Sequence, residues 1–496
     1  MPLDRARRWT ALLFLVPPLA LTLSFALRVD CVKPLWFDEW IVADASSQPH
    51  LKDLWNILAS GQSPHPPLNF LVVRTLYAVF GKSELVTRLP STVGFAAMQV
   101  CLFFFVSKRA NRAFGTVAML VPLAAFARQY SFEAKPYGVL LGWTGAALLC
   151  WRYTEAARRR PFALAGLSVS LACATCTHFF GVLLWVPVLA GEAARTFARR
   201  RVDWLTAAAI SCSVWPLLVL APLLRAGSHI HGAHPWQAPP DLRFPFQSLD
   251  QMLAGAAVPI LICFLVAAAS KHIATRRPPP LAIPLPEMAA AGALALLPFA
   301  AICGLRLAGI RAVEVKYVIP MAAGIAILFS WGTYSISSQT TAAGIALSAI
   351  LACWSGRDFL RDLHAAQHAR TRLADFTAPV AALPIVVDTT LYTMLSRYAP
   401  PDVRRRMYFL LDPAGQLGYI GSDALHLSMA LNPAFFGEHV EPLAAFETEH
   451  REFLIYERSP DDLSWLLRKF RDEGDVRIEL LAAGSDDRWY LVKLEK

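Results

Sequence analysis

The chain has 496 residues, 55% of them hydrophobic and only 17% charged, with a formal net charge of +10 and a mean hydropathy of +0.42. That balance excludes a water-soluble globular protein and describes a polytopic membrane protein. The positive charge sits in short clusters between apolar stretches, so nucleic acid is not an expected partner.

Charge is divided unevenly along the chain. From about residue 356 onward there are 17 Lys/Arg and 22 Asp/Glu, a density normal for a soluble domain, whereas residues 1–355 carry the whole positive excess. The expected organisation is therefore a transmembrane domain over 1–355, with interfacial helices in a first external loop at 29–85, and a soluble extracytoplasmic α/β domain over 356–496.

Apolar stretches long enough to cross about 30 Å of hydrocarbon as helices are expected near 10–28, 86–107, 113–129, 134–152, 161–177, 179–197, 204–223, 251–270, 286–305, 317–334 and 340–355. The first is read as a span, not as a cleaved signal peptide, because no A-x-A-like site follows it. Leu68 to Phe80 is set apart as an interfacial helix, since it is short, contains Arg74 and follows Pro66-Pro67. Clusters at Arg5/Arg7/Arg8, Lys108/Arg109/Arg112, Arg152/Arg158/Arg159/Arg160, Arg195/Arg199/Arg200/Arg201 and Lys271/Arg276/Arg277 mark cytoplasmic loops. About eleven crossings then leave the N-terminus cytoplasmic and the C-terminal domain outside, as in a multi-pass protein of a bacterial inner membrane.

This topology sorts the scarce acids of the membrane half. Glu155, Glu192, Asp203 and Glu287 fall inside among basic residues, whereas Asp38, Glu39, Glu133 and Glu314 fall outside. Asp38 and Glu39 follow the first span within Leu35-Trp36-Phe37-Asp38-Glu39-Trp40, and Glu133 lies beside Lys135 and Tyr137. Acid and base together at the membrane surface suit a site that handles a charged headgroup. Adjacent helical residues point about 100° apart, so one of Asp38 and Glu39 is expected to act while the other ties the loop down. Lys135, Arg88 and Lys316 are the outward cations; the plain alternatives are a local surface pair with Glu133 for Lys135 and anchoring at the headgroups for Arg88 and Lys316.

The nine cysteines lie in or at the ends of apolar stretches and imply no disulfide framework. Cys173-Ala-Thr-Cys176-Thr-His178 has a metal-like spacing but reads as helix packing. His229, His231 and His234 meet no fixed zinc spacing and read as a loop over the site. No metal site is assigned, and a divalent cation is left open. In the C-terminal region, strands are expected at Ile385–Asp388, Met407–Leu411, Phe453–Tyr456, Val476–Leu481 and Trp489–Leu494. Helices are expected near Thr389–Tyr398, Asp423–Leu431 and Asp461–Arg471, giving a largely parallel sheet.

The order Phe37-Asp38-Glu39, then His65-Pro66-Pro67-Leu68, then Gly81-Lys82-Ser83-Glu84 with Arg88-Leu89-Pro90-Ser91, then Tyr130-Ser131-Phe132-Glu133-Ala134-Lys135-Pro136-Tyr137 resembles the GT-C membrane glycosyltransferases. Within these it is similar to the bacterial group related to protein O-mannosyltransferases and the aminoarabinose transferase of lipid A. Thr177-His178-Phe179-Phe180-Gly181 and Val315-Lys316-Tyr317-Val318-Ile319-Pro320 extend the resemblance to about residue 335.

The resemblance implies a GT-C-like fold and transfer of a sugar from a polyprenyl-phosphate donor, with inversion, on the extracytoplasmic face. The acceptor could be protein, lipid A or another glycan. Carried to this chain, Asp38 matches the first-loop carboxylate that acts as general base, and Glu133 the second acidic position. Glu39 completes the catalytic candidates, and His65, Arg88, Lys135, Tyr137, His178, Lys316 and Tyr317 are the candidate substrate contacts. Lys316 stands where the group often has Arg, which keeps the charge but loses the bidentate fork. The rival reading is a transporter or flippase of lipid-linked sugars without transferase activity. Against it, the spans are nearly free of mid-helix charge and no internal repeat is visible.

Overall fold

The computed structural model describes residues 2–63, 65–231, 241–273, 281–307, 313–458, 464–484 and 487–495. The chain divides into two units: the first holds Met1–Cys31, His65–Ala221 and Pro239–Leu363, the second Val32–Pro64, Pro222–Ala238 and His364–Lys496.

The first unit is helical. By length and apolarity, five helices among the described residues can cross a membrane: Trp9–Val32, Glu84–Ser107, Phe179–Arg199, Trp204–Ala226 and Thr341–Ala374. Two bent pairs raise the number to seven, Phe244–Leu253 with Ala257–Lys271 at 73° and Leu285–Ala295 with Leu297–Gly304 at 63°. This is fewer than the eleven expected, because hydropathy reports how apolar a stretch is and not whether its helix is continuous. In the second pair, Pro298 follows the break at Leu296 and lacks the N–H that would continue the ladder. The stretches expected at 113–129 and 317–334 form helices of only 13 and 16 residues, Arg112–Ala124 and Met321–Ile336. Leu68–Phe80 is a 13-residue helix, too short to span.

Helices Glu84–Ser107 and Tyr137–Tyr153 meet through glycine. A Cβ on Gly138 would lie 2.5 Å from the carbonyl oxygens of both Ser91 and Tyr130, and one on Gly94 would lie 2.5 Å from Gly138 O. Backbone on both sides leaves nothing that can yield, so only glycine permits this approach. The same contact fixes the turn that carries Glu133 and Lys135. Ser91 Oγ donates to Lys135 O at 2.7 Å, and Thr92 Oγ1 lies 2.8 Å from both Ser131 O and Asp30 Oδ2.

Glu155, Glu192, Asp203 and Glu287, expected inside, are each engaged by arginine. Glu287 accepts from Arg109 at 2.7 and 2.9 Å and from Arg152 at 3.1 Å. Asp203 pairs with Arg160 at 2.6 Å, Glu192 with Arg195 at 2.8 Å, and Glu155 with Arg195 at 2.9 Å and with Arg199. Two of these carboxylates, Glu192 and Glu287, are buried, where a charge requires such partners. All nine cysteines are free thiols.

The second unit is built on a six-stranded sheet, β1 Ile385–Val386, β2 Met407–Leu411, β3 Val440–Pro442, β4 Glu452–Arg458, β5 Val476–Ala483 and β6 Asp487–Leu494, in the order β3-β2-β1-β4-β6-β5. Pairs β1/β2, β1/β4 and β2/β3 are parallel, whereas β4/β6 and β5/β6 are antiparallel, so the sheet is mixed and less parallel than expected. The five expected strands are present; β3 is an addition. Helices Leu391–Tyr398, Ala424–Leu431 and Trp465–Glu473 match the expected three, with Asp461 outside the described residues.

Helix Phe37–Ser46 belongs to this unit. Phe37 stacks on Phe436 at 5.2 Å, and Phe37 and Ile41 enter the core formed by Leu391, Leu395 and Phe409. Arg397 pairs with Asp44 at 2.9 Å and covers the Trp40 ring at 4.3 Å, and Leu35 N–H donates to Tyr398 Oη at 2.9 Å. Residues 32–64 of the first loop are thus part of the α/β unit, whereas helix Leu68–Phe80 belongs to the first unit.

Glu457 on β4 is buried, beside Asp388, and accepts from Ser464 N at 2.8 Å. Desolvation pushes its carboxyl up to about 7, and the Asp388 charge pushes the same way, against the Ser464 hydrogen bond. A carboxyl raised in the folded state binds a proton that the unfolded chain has already lost. Its stabilisation is therefore complete below about pH 4.5 and disappears as pH rises through 7. Glu457→Gln should remove this dependence and raise stability at pH 8 by about 2 kcal/mol, read from melting curves of the purified protein at pH 5 and 8.

Candidate active site

In the first unit, residues far apart in sequence form one cluster of rings. His65, after the first loop, lies 5.2 Å from His178 and 6.5 Å from Tyr137, centroid to centroid. Tyr137 lies 5.2 Å from His178, and Tyr317 lies 5.4 Å from His178 and 6.5 Å from Tyr137. His65, Tyr137 and His178 are buried, and Tyr317 is partly exposed. Each comes from a short break in helical structure. His65 precedes helix Leu68–Phe80, Tyr137 opens helix Tyr137–Tyr153, His178 caps helix Arg160–Thr177, and Tyr317 lies in the 3-10 turn Val315–Val318.

His178 is held in one form. Its Nδ1 accepts the Phe180 N–H at 3.1 Å, which leaves the ring proton of the neutral imidazole on Nε2. Burial first, and then the charges of Lys135 and Lys316, lower its pKa to about 3. It is thus a neutral hydrogen-bond donor at physiological pH. Gly181 makes this turn possible, because a Cβ there would lie 2.2 Å from Ala174 O.

The lysines and acids flank the rings. Lys135 is buried, whereas Lys316 is partly exposed, pairs with Glu314 at 2.6 Å and has its Nζ 5.8 Å from the Tyr317 ring centroid. Glu133 is partly exposed in the turn before Tyr137, and its charge, after desolvation, raises the Tyr130 hydroxyl pKa. Arg88 is fully buried, its Nη1 donating to Asp30 O at 3.2 Å.

Asp38 and Glu39 belong to the second unit, where the structure gives them different settings. Glu39 is fully buried at the third position of helix Phe37–Ser46, and its Oε2 accepts the Trp36 N–H at 3.3 Å. That is the return half of a capping box. Asp38, one position earlier, is partly exposed.

Sequence reasoning passed over three contributors. Phe180 stacks on Tyr317 at 4.7 Å, Tyr130 packs edge-on against Tyr137 at 4.9 Å, and Glu314 holds Lys316. Each lies inside or next to a quoted motif, but only the fold gives it a partner. Among the described residues no group of three or more His, Cys, Asp or Glu is arranged to hold a metal ion. The side chains of His229, His231 and His234 lie outside the described residues.

No family model matches the sequence, and no curated protein sequence matches it. Fold likeness, in contrast, runs through almost the whole chain. Two crystal structures of ArnT from Cupriavidus metallidurans, one bound to undecaprenyl phosphate and one in the apo state, align with TM-scores of 0.56 and 0.58 at 14% identity. The alignments cover 97% and 98% of this chain and 98% of each ArnT chain. The chain has the ArnT fold. The likeness extends over both units, the helical multi-span region and the C-terminal α/β region, and so reaches past residue 335, where the resemblance read from the sequence ends.

Proposed function

We propose that the protein is a membrane glycosyltransferase that moves a sugar from a polyprenyl-phosphate donor to an acceptor on the extracytoplasmic face, inverting the anomeric centre. The observation that carries this reading is the convergence of His65, Tyr137, His178 and Tyr317, from motifs spread over about 250 residues, into one cluster flanked by Lys135 and Lys316. The ArnT fold supports it, and one of the two ArnT structures carries undecaprenyl phosphate.

In this mechanism the acceptor hydroxyl attacks the anomeric carbon while Asp38 accepts its proton. The bond from carbon to phosphate oxygen breaks, and the lipid phosphate leaves with the electron pair. Lys135 and Lys316 offset the charge that develops on it. His178 donates from Nε2, and Tyr137, Tyr317 and His65 supply further ring edges and hydroxyls for sugar or phosphate. Glu133 orients the acceptor, while Glu39 fixes the helix that carries Asp38. Arg88 ties its helix to the first one through Asp30 O.

Mass spectrometry of lipid-linked sugars and surface glycans in a deletion strain tests this reading. The donor should accumulate and one glycan, lipid A species or glycoprotein should lose a sugar. Two unchanged pools would contradict the reading.

A further inference from the structure

The starting turn of helix Arg160–Thr177 and the link between helices Trp185–Arg199 and Trp204–Ser211 enclose an open cavity of about 870 Å³, lined by Arg160, Arg199, Arg201, Asp203, Trp204 and Leu205. We propose that this cavity is a binding site for an anionic phospholipid, separate from the ring cluster. The separation follows from one helix: Arg160 and His178 stand at its opposite ends, about 25 Å apart at 1.5 Å per residue. The two sites therefore lie at opposite ends of this helix.

Charge argues for an anion. Six arginines, Arg158, Arg159, Arg160, Arg199, Arg200 and Arg201, surround this end of the unit, against the carboxylates of Glu155 and Asp203. Asp203 is engaged by Arg160 at 2.6 Å, and Glu155 is shared by Arg195 and Arg199, so the positive excess stays with the remaining arginines. Arg200 holds a left-handed conformation, φ 53°, where glycine is the usual residue, and this reverses the chain so that Arg199 and Arg201 line the same cavity.

Apolar exposure argues for a lipid over a soluble anion. Phe162, Phe197, Trp204 and Leu205 on the same three helices are 82%, 80%, 76% and 60% exposed. Guanidinium groups bind phosphate oxygens through paired hydrogen bonds, and the rings and Leu205 offer the adjoining surface to acyl chains. Basic pockets between membrane helices take anionic headgroups on these grounds.

Native mass spectrometry of the full chain tests the site with phosphatidylglycerol and phosphatidylcholine of identical acyl chains. The wild type should retain phosphatidylglycerol over phosphatidylcholine by about tenfold. Arg199→Gln with Arg201→Gln should bring that ratio close to one, and Arg201→Glu alone should move it in the same direction. Arg361→Gln, at a residue whose side chain is 67% exposed elsewhere in the unit, should leave it unchanged. Equal retention of both lipids by the wild type, or an unchanged preference in well-folded double variant, would overturn the proposal.

Discussion

Asp38→Asn should lower kcat for sugar transfer by about 10²- to 10⁴-fold while leaving binding of the lipid phosphate nearly intact. A sugar hydroxyl is a poor nucleophile at neutral pH, and the amide keeps the shape of the carboxylate but cannot take the proton. The structure separates this residue from its neighbour. Glu39 is fully buried and caps the helix through Trp36 N–H, whereas Asp38 is partly exposed one position away. Glu39→Gln keeps an acceptor oxygen for that hydrogen bond, so it should cost far less than Asp38→Asn. Single-turnover transfer with excess enzyme measures both. Equal losses in the two variants would remove the distinction, and full activity in Asp38→Asn would remove the base.

Removing the two lysines should have a comparable effect through the other half of the reaction. Lys135→Met with Lys316→Met should lower kcat/KM by about 10²- to 10³-fold, because two cations no longer oppose the charge developing on the leaving phosphate. The variants also change His178. Its neutral state rests first on burial and then on repulsion from these two lysines. Without them its pKa rises from about 3 toward the ordinary 6.5. Activity remaining in the double variant should then fall at a higher pH on the acid side than wild-type activity does. A pH–rate profile reads this shift. An unshifted acid limb together with undiminished kcat/KM would detach the lysines from the site.

Much of the architecture was legible because it depends on local composition. Apolar runs marked the helices, and alternating β-branched and aromatic residues marked five strands. The third strand was missed because Val440–Pro442 is three residues long and ends in proline, which offers no period to read. Helix breaks at Leu296 and around Gly255 were invisible to hydropathy for the reason that broken and unbroken apolar runs score alike.

The ring residues of the site were legible from the order of the motifs, but their mutual contacts were not. Phe180 and Tyr130 acquire partners only when Gly138 and Gly181 let backbones approach within the space of a missing Cβ. Arg88 illustrates the same limit from the other side. Its position near a helix start read as an outward cation, and burial places its guanidinium against Asp30 O. The membership of Asp38 and Glu39 in the α/β unit rests on Phe37, Ile41 and Asp44 meeting residues more than 350 positions away, which no local pattern encodes.

Purified protein incubated with isotopically labelled undecaprenyl-phosphate sugar and membrane extract shows whether a sugar is cut from the lipid phosphate and passed on. Undecaprenyl phosphate should appear in step with labelled acceptor, the new linkage should be inverted, and both products should fall together with Asp38→Asn. Intact donor in detergent, together with its movement uncleaved across the bilayer of proteoliposomes, would rule out transfer and favour a transporter.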